Sequence, residues 1–211
     1  MIITKNIYFK NFNKKYSSSV NNKLKFLLKE NNEILNSLKS SYKYSYSNKF
    51  IDKYKKKFPI LRIIGMGGSI LGTKAIFNFL KKRIKKKVIF FDNLLSNFKL
   101  DNNKKILNII VSKSGNTLET ISNVNNLIKK NQKNIFITEN NKSYLRILAN
   151  KMKAEVVDHN NYIGGRYSVL SEVGMLPAEL LGLNERKFKR LNYLIKNKYF
   201  LNQLIYNVNF I

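Results

Sequence analysis

The sequence predicts an α/β fold, a three-layer αβα sandwich with a five-stranded parallel sheet and additional N-terminal and C-terminal helices. From Ile60 onward, short apolar runs alternate with segments of helical periodicity, as in a parallel sheet covered on both faces. Polar or glycine-containing turns separate these runs. The chain is 44% hydrophobic and 12% aromatic, which is enough apolar material for a packed core.

The predicted elements follow one another as a helical lead-in, an alternating core and a helical tail. Residues 1–57 form the lead-in, with apolar residues at helical spacing between Leu24 and Leu38, and it ends before Pro59 because the residue preceding a proline disfavours the helix. The sandwich domain is predicted over 58–183 and a C-terminal helical segment over 184–211. The predicted strands are Ile60–Ile64, Val88–Phe91, Ile106–Val111, Asn134–Ile137 and Ala154–Val157. The predicted helices are Ser69–Leu80, Thr117–Lys129, Ser143–Met152, Tyr167–Leu181 and Glu185–Leu194.

Composition excludes several classes of protein. The chain contains no cysteine, which rules out disulfides, thiolate metal sites and cysteine nucleophiles. We predict neither a metal site nor a cofactor. The N-terminus has no apolar core of signal-peptide length, and no apolar run is long enough to span a membrane, so we expect a cytoplasmic protein without a membrane partner.

The net charge of +28 raises the alternative of a nucleic-acid-binding protein. Only six of the 40 basic residues are arginines, whereas specific readout of bases depends on arginine forks. Lys, Asn and Ile, all encoded by A- and T-rich codons, are abundant together, and a biased genome explains this composition. We therefore predict that nucleic acid is not the partner.

A glycine-rich turn follows the first predicted strand and opens the first helix: Gly65-Met66-Gly67-Gly68-Ser69. Glycines allow a ligand to approach the backbone, and a helix N-terminus offers N–H groups to an anion. One alternative is a tight turn capped by Ser69. Another is a dinucleotide site with Asp92 as the ribose-binding acid, which the replacement of the last glycine of that motif by Ile70 disfavours.

A second motif lies between the third strand and the next long helix: Ser112-Lys113-Ser114-Gly115-Asn116-Thr117. Hydroxyls, a lysine and a glycine at a helix start provide donors for a phosphate monoester. The alternative is a polar loop in which Thr117 caps the helix and Glu119 complements its dipole. In a doubly wound sheet this loop and the first one meet where ligands bind.

The third motif follows the last strand: Gly164-Gly165-Arg166-Tyr167-Ser168. Arg166 supplies a permanent charge suited to an oxyanion, and the alternative is a helix entry with a solvated arginine. The only histidine, His159, precedes this motif, and a lone histidine is more often structural than catalytic.

These three stretches, in this order, resemble the signature motifs of the glucose-6-phosphate isomerase family. The resemblance covers about Ile60 to Leu183 and continues from the third motif into Glu172-Val173-Gly174-Met175-Leu176-Pro177. It implies a sugar-isomerase (SIS), flavodoxin-like domain, a hexose 6-phosphate substrate and a homodimer in the complete family member. By resemblance, Ser112, Lys113, Ser114 and Thr117 hold the substrate phosphate, Gly68 and Ser69 line the sugar side, and Arg166 stabilises the charged intermediate. Gly115, Asn116 and Gly165 complete the predicted substrate-binding residues.

The resemblance also implies what this chain lacks. The family's catalytic glutamate, ring-opening histidine and late lysine belong to a second domain that would follow Ile211, and the chain stops in an apolar run. Glu119, Glu172 and Glu179 fall in helical patterns and none is marked as a replacement base. We therefore expect an isomerase whose sequence is truncated or fragmentary and inactive alone, with a non-catalytic phosphosugar-binding module as the alternative.

Overall fold

The computed structural model of the chain describes residues 2–4, 7–8, 18–30, 32–94, 105–192, 194 and 197–210. The chain divides into two compact units, residues 43–185 and residues 1–42 with 186–211. The larger unit includes the last part of the predicted lead-in, and the domain boundaries at 57/58 and 183/184 stay a prediction.

The strands and helices are numbered along the chain. The strands are β1 Ile2–Thr4, β2 Ile7–Tyr8, β3 Ile60–Gly65, β4 Lys87–Phe91, β5 Ile106–Val111, β6 Lys133–Thr138 and β7 Glu155–Asp158. The α-helices are α1 Ser18–Lys29, α2 Glu33–Ser37, α3 Asn48–Lys55, α4 Gly68–Leu80, α5 Leu118–Leu127, α6 Tyr144–Lys151, α7 Glu172–Leu180 and α8 Lys198–Phe210. The 3-10 helices are Lys81–Arg83, Gly165–Leu170 and Glu185–Asn192.

The smaller unit contains an antiparallel pair, β1 and β2, together with α1, α2 and α8. A buried lysine holds part of it together. The ammonium of Lys189 donates to the carbonyl of Ser37 at 2.9 Å and lies 4.3 Å from the ring centre of Tyr42. These interactions satisfy a charge that would be costly to bury alone.

The larger unit confirms the predicted fold class. Its sheet has five parallel strands in the order β4-β3-β5-β6-β7. One face carries a buried cluster that includes Leu61, Ile63 and Val173, and the other carries one that includes Ile64 and Val124. The apolar runs thus belong to strands buried on both faces, as their composition predicts.

Strand order also fixes where a ligand can approach. From β3 the chain passes to β4 on one side, and it then returns to β5 on the other side of β3. The direction of winding therefore reverses between β3 and β5, which makes a crevice at their carboxyl ends. Gly65 and Val111 pair at that end, so the first two motifs leave the sheet side by side, as predicted.

The C-terminal half of the larger unit departs from the predicted helices. In place of one helix over Tyr167–Leu181, a 3-10 helix ends at Leu170, and α7 starts after Ser171, which is extended at φ −96° and ψ −167°. Gly174 lies against the backbone of Val169, a close approach that a straight helix would not make. The segment predicted as a helix over Glu185–Leu194 is a 3-10 helix from Glu185 to Asn192.

Charges are distributed unequally between the two ends of the sheet. Two basic runs meet at the amino end, where Lys87 N donates to Pro59 O at 3.1 Å and the ammonium of Lys86 donates to the carbonyl of Lys55. Burial, and to a smaller degree the nearby Lys55 charge, lowers the pKa of Lys86 to about 8. The described cations of the loops that enter the strands are Lys56, Lys57, Lys81, Lys82, Arg83, Lys85, Lys86, Lys87, Lys105, Lys129, Lys130, Lys133 and Lys153.

An acidic cavity of about 360 Å³ lies beside Lys55, between α3 and the turn after α7. Asp52, Glu179 and Glu185 contribute its carboxylates. Burial, together with hydrogen bonding to and repulsion by Glu185, raises the pKa of Glu179 to about 7. Glu179 is therefore partly protonated near neutral pH.

Candidate functional site

The first loop turns through glycines at the end of β3. Gly67 has φ 51° and occupies the N-cap position of α4, and no side chain caps the helix. Ser69 lies in the first turn, with its amide bonded to Met66 O at 3.1 Å. The alternative of a turn capped by Ser69 is therefore wrong, because Ser69 lies inside the helix.

The acid required by the dinucleotide alternative is already paired. Asp92 follows the edge strand β4, and its carboxylate accepts from the ammonium of Lys74 at 2.5 Å. An acid bound in this way offers less to a ribose hydroxyl.

The second loop is a compact turn held by its own hydroxyls. The Oγ of Ser112 lies 3.0 Å from Oγ1 of Thr117 and accepts from Gly115 N at 3.2 Å. Gly115 has φ 67°, and its α-carbon lies so close to the Ser143 side chain that a Cβ would overlap the hydroxyl. Only a glycine fits this conformation and this space without strain.

Thr117 stands at the N-cap of α5, but its side chain bonds to Ser112 and does not cap the helix. The alternative of a capping threonine is therefore wrong. The hydroxyl of Ser114 accepts from Asn116 N at 3.2 Å, and both residues are exposed. The loop thus presents hydroxyls at an uncapped helix N-terminus, which attracts anions.

The third motif reaches the other two by crossing the carboxyl edge of the sheet. We call residues 159–165 the strap. It leaves β7 with His159 N bonded to Thr138 O at 2.9 Å, and it arrives at α4, where Ser168 Oγ donates to Gly165 O at 2.7 Å. The arrival is tight, because a Cβ on Gly68 would overlap the carbonyl of Gly165 and lie 2.8 Å from Arg166 N.

Arg166 is the first residue after the strap. Its side chain is exposed and pairs with no acceptor in the described part of the chain. The residue is anchored through its backbone beside Gly68, so the strap sets its position at the end of the crevice. The three predicted motifs are therefore brought to one edge of the sheet.

Lys113 makes contacts that its place in the motif did not predict. Its ammonium donates to Asn161 O of the strap at 2.6 Å and lies 3.4 Å from the carboxylate of Glu139. Sequence reasoning missed Glu139, Asn161 and the buried Ser143, since each reaches the loop across the fold. The one available signal was that Glu139 and Ser143 follow β6 at its carboxyl end.

The three glutamates and the histidine singled out in the sequence lie in different surroundings. Glu172 is fully buried and accepts from Ser45 N and Ser45 Oγ, each at 3.0 Å. His159 is 3% exposed, and burial lowers the pKa of its imidazole, which is therefore neutral near pH 7. Glu119 lies in the first turn of α5, and Glu179 lines the acidic cavity. Of the three glutamates, Glu119 therefore lies beside the second loop, Glu172 is held by Ser45 and Glu179 lies at the acidic cavity.

In the described residues, no group of three His, Cys, Asp or Glu side chains is arranged to hold a metal ion. None of the described helices has the length and apolarity that crossing a membrane requires.

A family model described as phosphoglucose isomerase matches residues 13–196. The chain is 34% identical over 161 residues to a probable glucose-6-phosphate isomerase of Methanococcus maripaludis, which covers 65% of this chain and 35% of the relative. It is 38% identical over 153 residues to a glucose-6-phosphate isomerase of Methanocaldococcus jannaschii, covering 65% and 37%. The chain thus spans about a third of the length of these relatives.

Solved structures share the fold. A hypothetical protein from Thermus thermophilus superposes with a TM-score of 0.68 at 19% identity, covering 91% of this chain and 51% of that one. The tagatose-6-phosphate ketose/aldose isomerase of Escherichia coli superposes with a TM-score of 0.53 at 16% identity, covering 76% and 46%. At these sequence identities the similarity shows a shared fold and nothing more.

Proposed function

We propose, since this chain belongs to the phosphoglucose isomerase family, that it binds a hexose 6-phosphate for the interconversion of glucose 6-phosphate and fructose 6-phosphate. The observation that carries the proposal is the convergence of three motifs at the β3–β5 crevice. Gly68 meets the Gly165–Arg166 peptide there, beside the loop that opens α5.

In this proposal the phosphate occupies the loop from Ser112 to Thr117. The N-terminus of α5 supplies backbone donors and the positive end of a helix dipole, and the exposed hydroxyl of Ser114 supplies another donor. Asn116 shapes the loop, because its side-chain oxygen Oδ1 accepts from Tyr144 N at 2.9 Å. Hydrogen bonds to an ionised phosphate are stronger than those between neutral groups.

The sugar extends from the phosphate toward Gly68, Ser69 and Gly165. Isomerisation between neighbouring carbons passes through an enediolate, whose oxygen becomes negatively charged. Arg166 stabilises that charge, and stabilisation that grows toward the transition state accelerates the reaction. The phosphate loop contributes by fixing the reacting carbons relative to Arg166.

Proton transfer needs a carboxylate at the substrate carbon, with geometry as the first requirement. Glu172 is held by Ser45, Glu179 lines the acidic cavity, and Glu119 lies in the first turn of α5, at the proposed phosphate end of the site. We therefore propose that this chain holds the substrate and that the base comes from outside it. The alternative is a phosphosugar-binding module without turnover, which the same observation favours.

Binding is tested by thermal unfolding of the 211-residue chain with and without fructose 6-phosphate. A ligand at 100 times its Kd stabilises the folded state by about 2.7 kcal/mol, and this stabilisation should be lost in Ser114→Ala combined with Thr117→Ala. Ser41→Ala, an exposed serine in the smaller unit, is the matched control. Absence of stabilisation of the wild-type chain by any hexose 6-phosphate would overturn the proposed function.

Turnover is tested separately by a coupled assay of fructose 6-phosphate formation. We expect binding without turnover in this chain alone. Measurable isomerisation would show that the base lies within the 211 residues.

A further inference from the structure

Lys113 holds together two parts of the site that are distant in sequence. Its backbone belongs to the phosphate loop, where Lys113 O accepts from Glu139 N at 3.0 Å and from Thr138 Oγ1 at 3.2 Å. Its ammonium donates to Asn161 O at 2.6 Å. One residue therefore connects the phosphate loop to the middle of the strap.

The ammonium is not directed toward the loop that it extends from. Asn161 O is 48 residues away in sequence, and the Glu139 carboxylate lies 3.4 Å from the same nitrogen. A lysine with a carbonyl and a carboxylate already bound would have to give up both to contact a phosphate.

The strap in turn sets the position of the arginine. Arg166 follows Gly165, and Gly165 lies against Gly68 with no room for a side chain between them. A displacement at Asn161 would therefore be transmitted along the strap to the Gly165–Arg166 peptide. Misplacement of a charged group by about 1 Å is enough to lose much of its effect at a reacting centre.

From these contacts we infer that Lys113 is a positioning residue for Arg166 and that its ammonium is not a ligand of the substrate phosphate. This inference rests on the proposed function, since it assigns the role of Lys113 within that site. Ser112, Ser114, Thr117 and the backbone amides hold the phosphate, and Lys113 fixes the distance between that phosphate and the guanidinium. The residue therefore acts on the sugar end of the ligand.

The two roles differ in how they affect two ligands. Inorganic phosphate uses only the phosphate loop, whereas fructose 6-phosphate also uses the sugar side and Arg166. Long-range charge effects act on both ligands alike, so they cancel in the ratio of the affinity for fructose 6-phosphate to the affinity for inorganic phosphate. The ratio therefore reports the connection between the loop and Arg166.

The experiment measures the Kd of both ligands by isothermal titration for the full chain and for Lys113→Met. We expect the affinity for fructose 6-phosphate to fall about tenfold and that for inorganic phosphate to fall less than about twofold, a change typical of one lost charged hydrogen bond. Retained phosphate binding also shows that the variant is folded. Lys142→Met, which removes an exposed charge near the same loop, should leave the ratio unchanged.

Two further variants sharpen the result. Glu139→Gln replaces the carboxylate that orients Lys113 by a neutral amide. It should lower the affinity ratio by a smaller factor than Lys113→Met does. Arg166→Met combined with Lys113→Met should lower the ratio no further than Arg166→Met alone, because the effect of Lys113 passes through Arg166. A purely structural lysine would lower the thermal midpoint and leave the ratio unchanged.

The inference is overturned if Lys113→Met weakens inorganic phosphate and fructose 6-phosphate equally, since the ammonium would then be a direct phosphate ligand. An unchanged ratio, or additive effects in the double variant, also overturns it. In these cases the proposed function stands, because the wild-type chain binds both ligands. A wild-type chain that binds neither overturns the proposed function and the inference together.

Discussion

The two ends of the β-sheet differ in chemistry. The amino end is rich in lysines. Among the described residues that lead into the strands or begin them, the only carboxylate is that of Glu155, the first residue of β7. Near the carboxyl end the described charges of both signs are paired: Asp92 with Lys74, Glu139 with Lys113 and Asp158 with Arg146. Glu119, Lys142 and Arg166 lie beside these pairs, so positive and negative groups are nearly balanced there. The proposed site lies at the balanced end.

This difference shows that net charge does not locate the site. Strands of five or six residues rise about 3.3 Å per residue and separate the two ends by about 17–20 Å. That is more than twice the Debye length of about 8 Å at physiological salt. The proposed site consists of backbone turns, hydroxyls and one arginine, and we expect the lysines at the opposite end to contribute little to ligand binding.

The largest effect should come from disturbing the carboxyl end where the first and third motifs meet. In Gly68→Ala the new Cβ would overlap Gly165 O and lie 2.8 Å from Arg166 N, so the strap must move. We expect a loss of about 1–3 kcal/mol in the free energy of unfolding and about a tenfold loss of affinity for fructose 6-phosphate. Urea titration and calorimetry measure the two effects.

The matched control is Gly182→Ala. Gly182 has φ 92°, and no atom would lie within 4 Å of a Cβ added there, so this change strains the backbone without a collision. It should lower stability and leave the affinity unchanged. If Gly68→Ala affected stability and affinity no more than this control, the contact between the first and third motifs would be refuted.

A smaller effect concerns the acidic cavity beside Lys55. The pKa of Glu179 is raised to about 7, so between about pH 4.5 and 7 the folded state keeps a proton that the unfolded state has lost. Stability should therefore fall as pH rises through this window. After allowance for solvent screening, we expect about 1 kcal/mol.

Glu179→Gln should abolish this fall and make the protein relatively more stable at pH 8. Denaturant midpoints at about pH 5.5 and pH 8 test it, with Glu33→Gln, a carboxylate in the smaller unit, as the control. A fall of equal size in the variant would contradict the assignment.

Lys86, at the lysine-rich amino end of the sheet, predicts a pH dependence of stability of the opposite sign. The pKa of Lys86 is lowered to about 8, so between pH 8 and about 10.5 the unfolded state binds a proton that the folded state has released. Stability should rise with pH in this window, by about 1 kcal/mol or less after screening. Lys86→Met should remove the rise, whereas exposed Lys85→Met should keep it; urea midpoints at about pH 7.5 and 9.5 distinguish the two.

The smallest effect is expected when charge is removed from the amino end. Lys82, Lys85 and Lys87 are exposed, and replacing all three by Gln should change the Kd for fructose 6-phosphate by less than about twofold at about 0.15 M salt. Calorimetry at that salt concentration and at about 0.01 M measures it. A tenfold loss at the higher salt concentration would show that the amino end takes part in capturing the ligand.

Much of the sheet could be predicted from sequence because its signals are local. The predicted strand Ile106–Val111 has the observed bounds, and the other four differ from the observed strands by one residue at one or both ends, since buried parallel strands are unbroken apolar runs. The glycine and hydroxyl loops were correctly placed at strand ends for the same reason. Helix type was less predictable, because the periodicity of 165–170 fits both a 3-10 and an α-helix.

What could not be predicted depends on contacts across the fold. The strap lies against Gly68 because of the whole arrangement of strands between them, and no residue near Gly165 in sequence signals that contact. The resemblance implies that Lys113 binds the phosphate, which stays a prediction, and nothing in the sequence indicates the contact of its ammonium with Asn161 O. Helices α3 and α8 fall within the predicted helical lead-in and helical tail, but their bounds were not predicted.

The contacts that complete the site join residues about one hundred positions apart, such as Thr73 Oγ1 with Val173 O at 3.1 Å and Ser45 with Glu172. Loops of that length close at a high entropic cost and therefore slowly. In the order of synthesis, the Ser112–Thr117 loop, β6 and Ser143 precede Arg166. The residues proposed to hold the phosphate are therefore made before the residue proposed to act on the sugar.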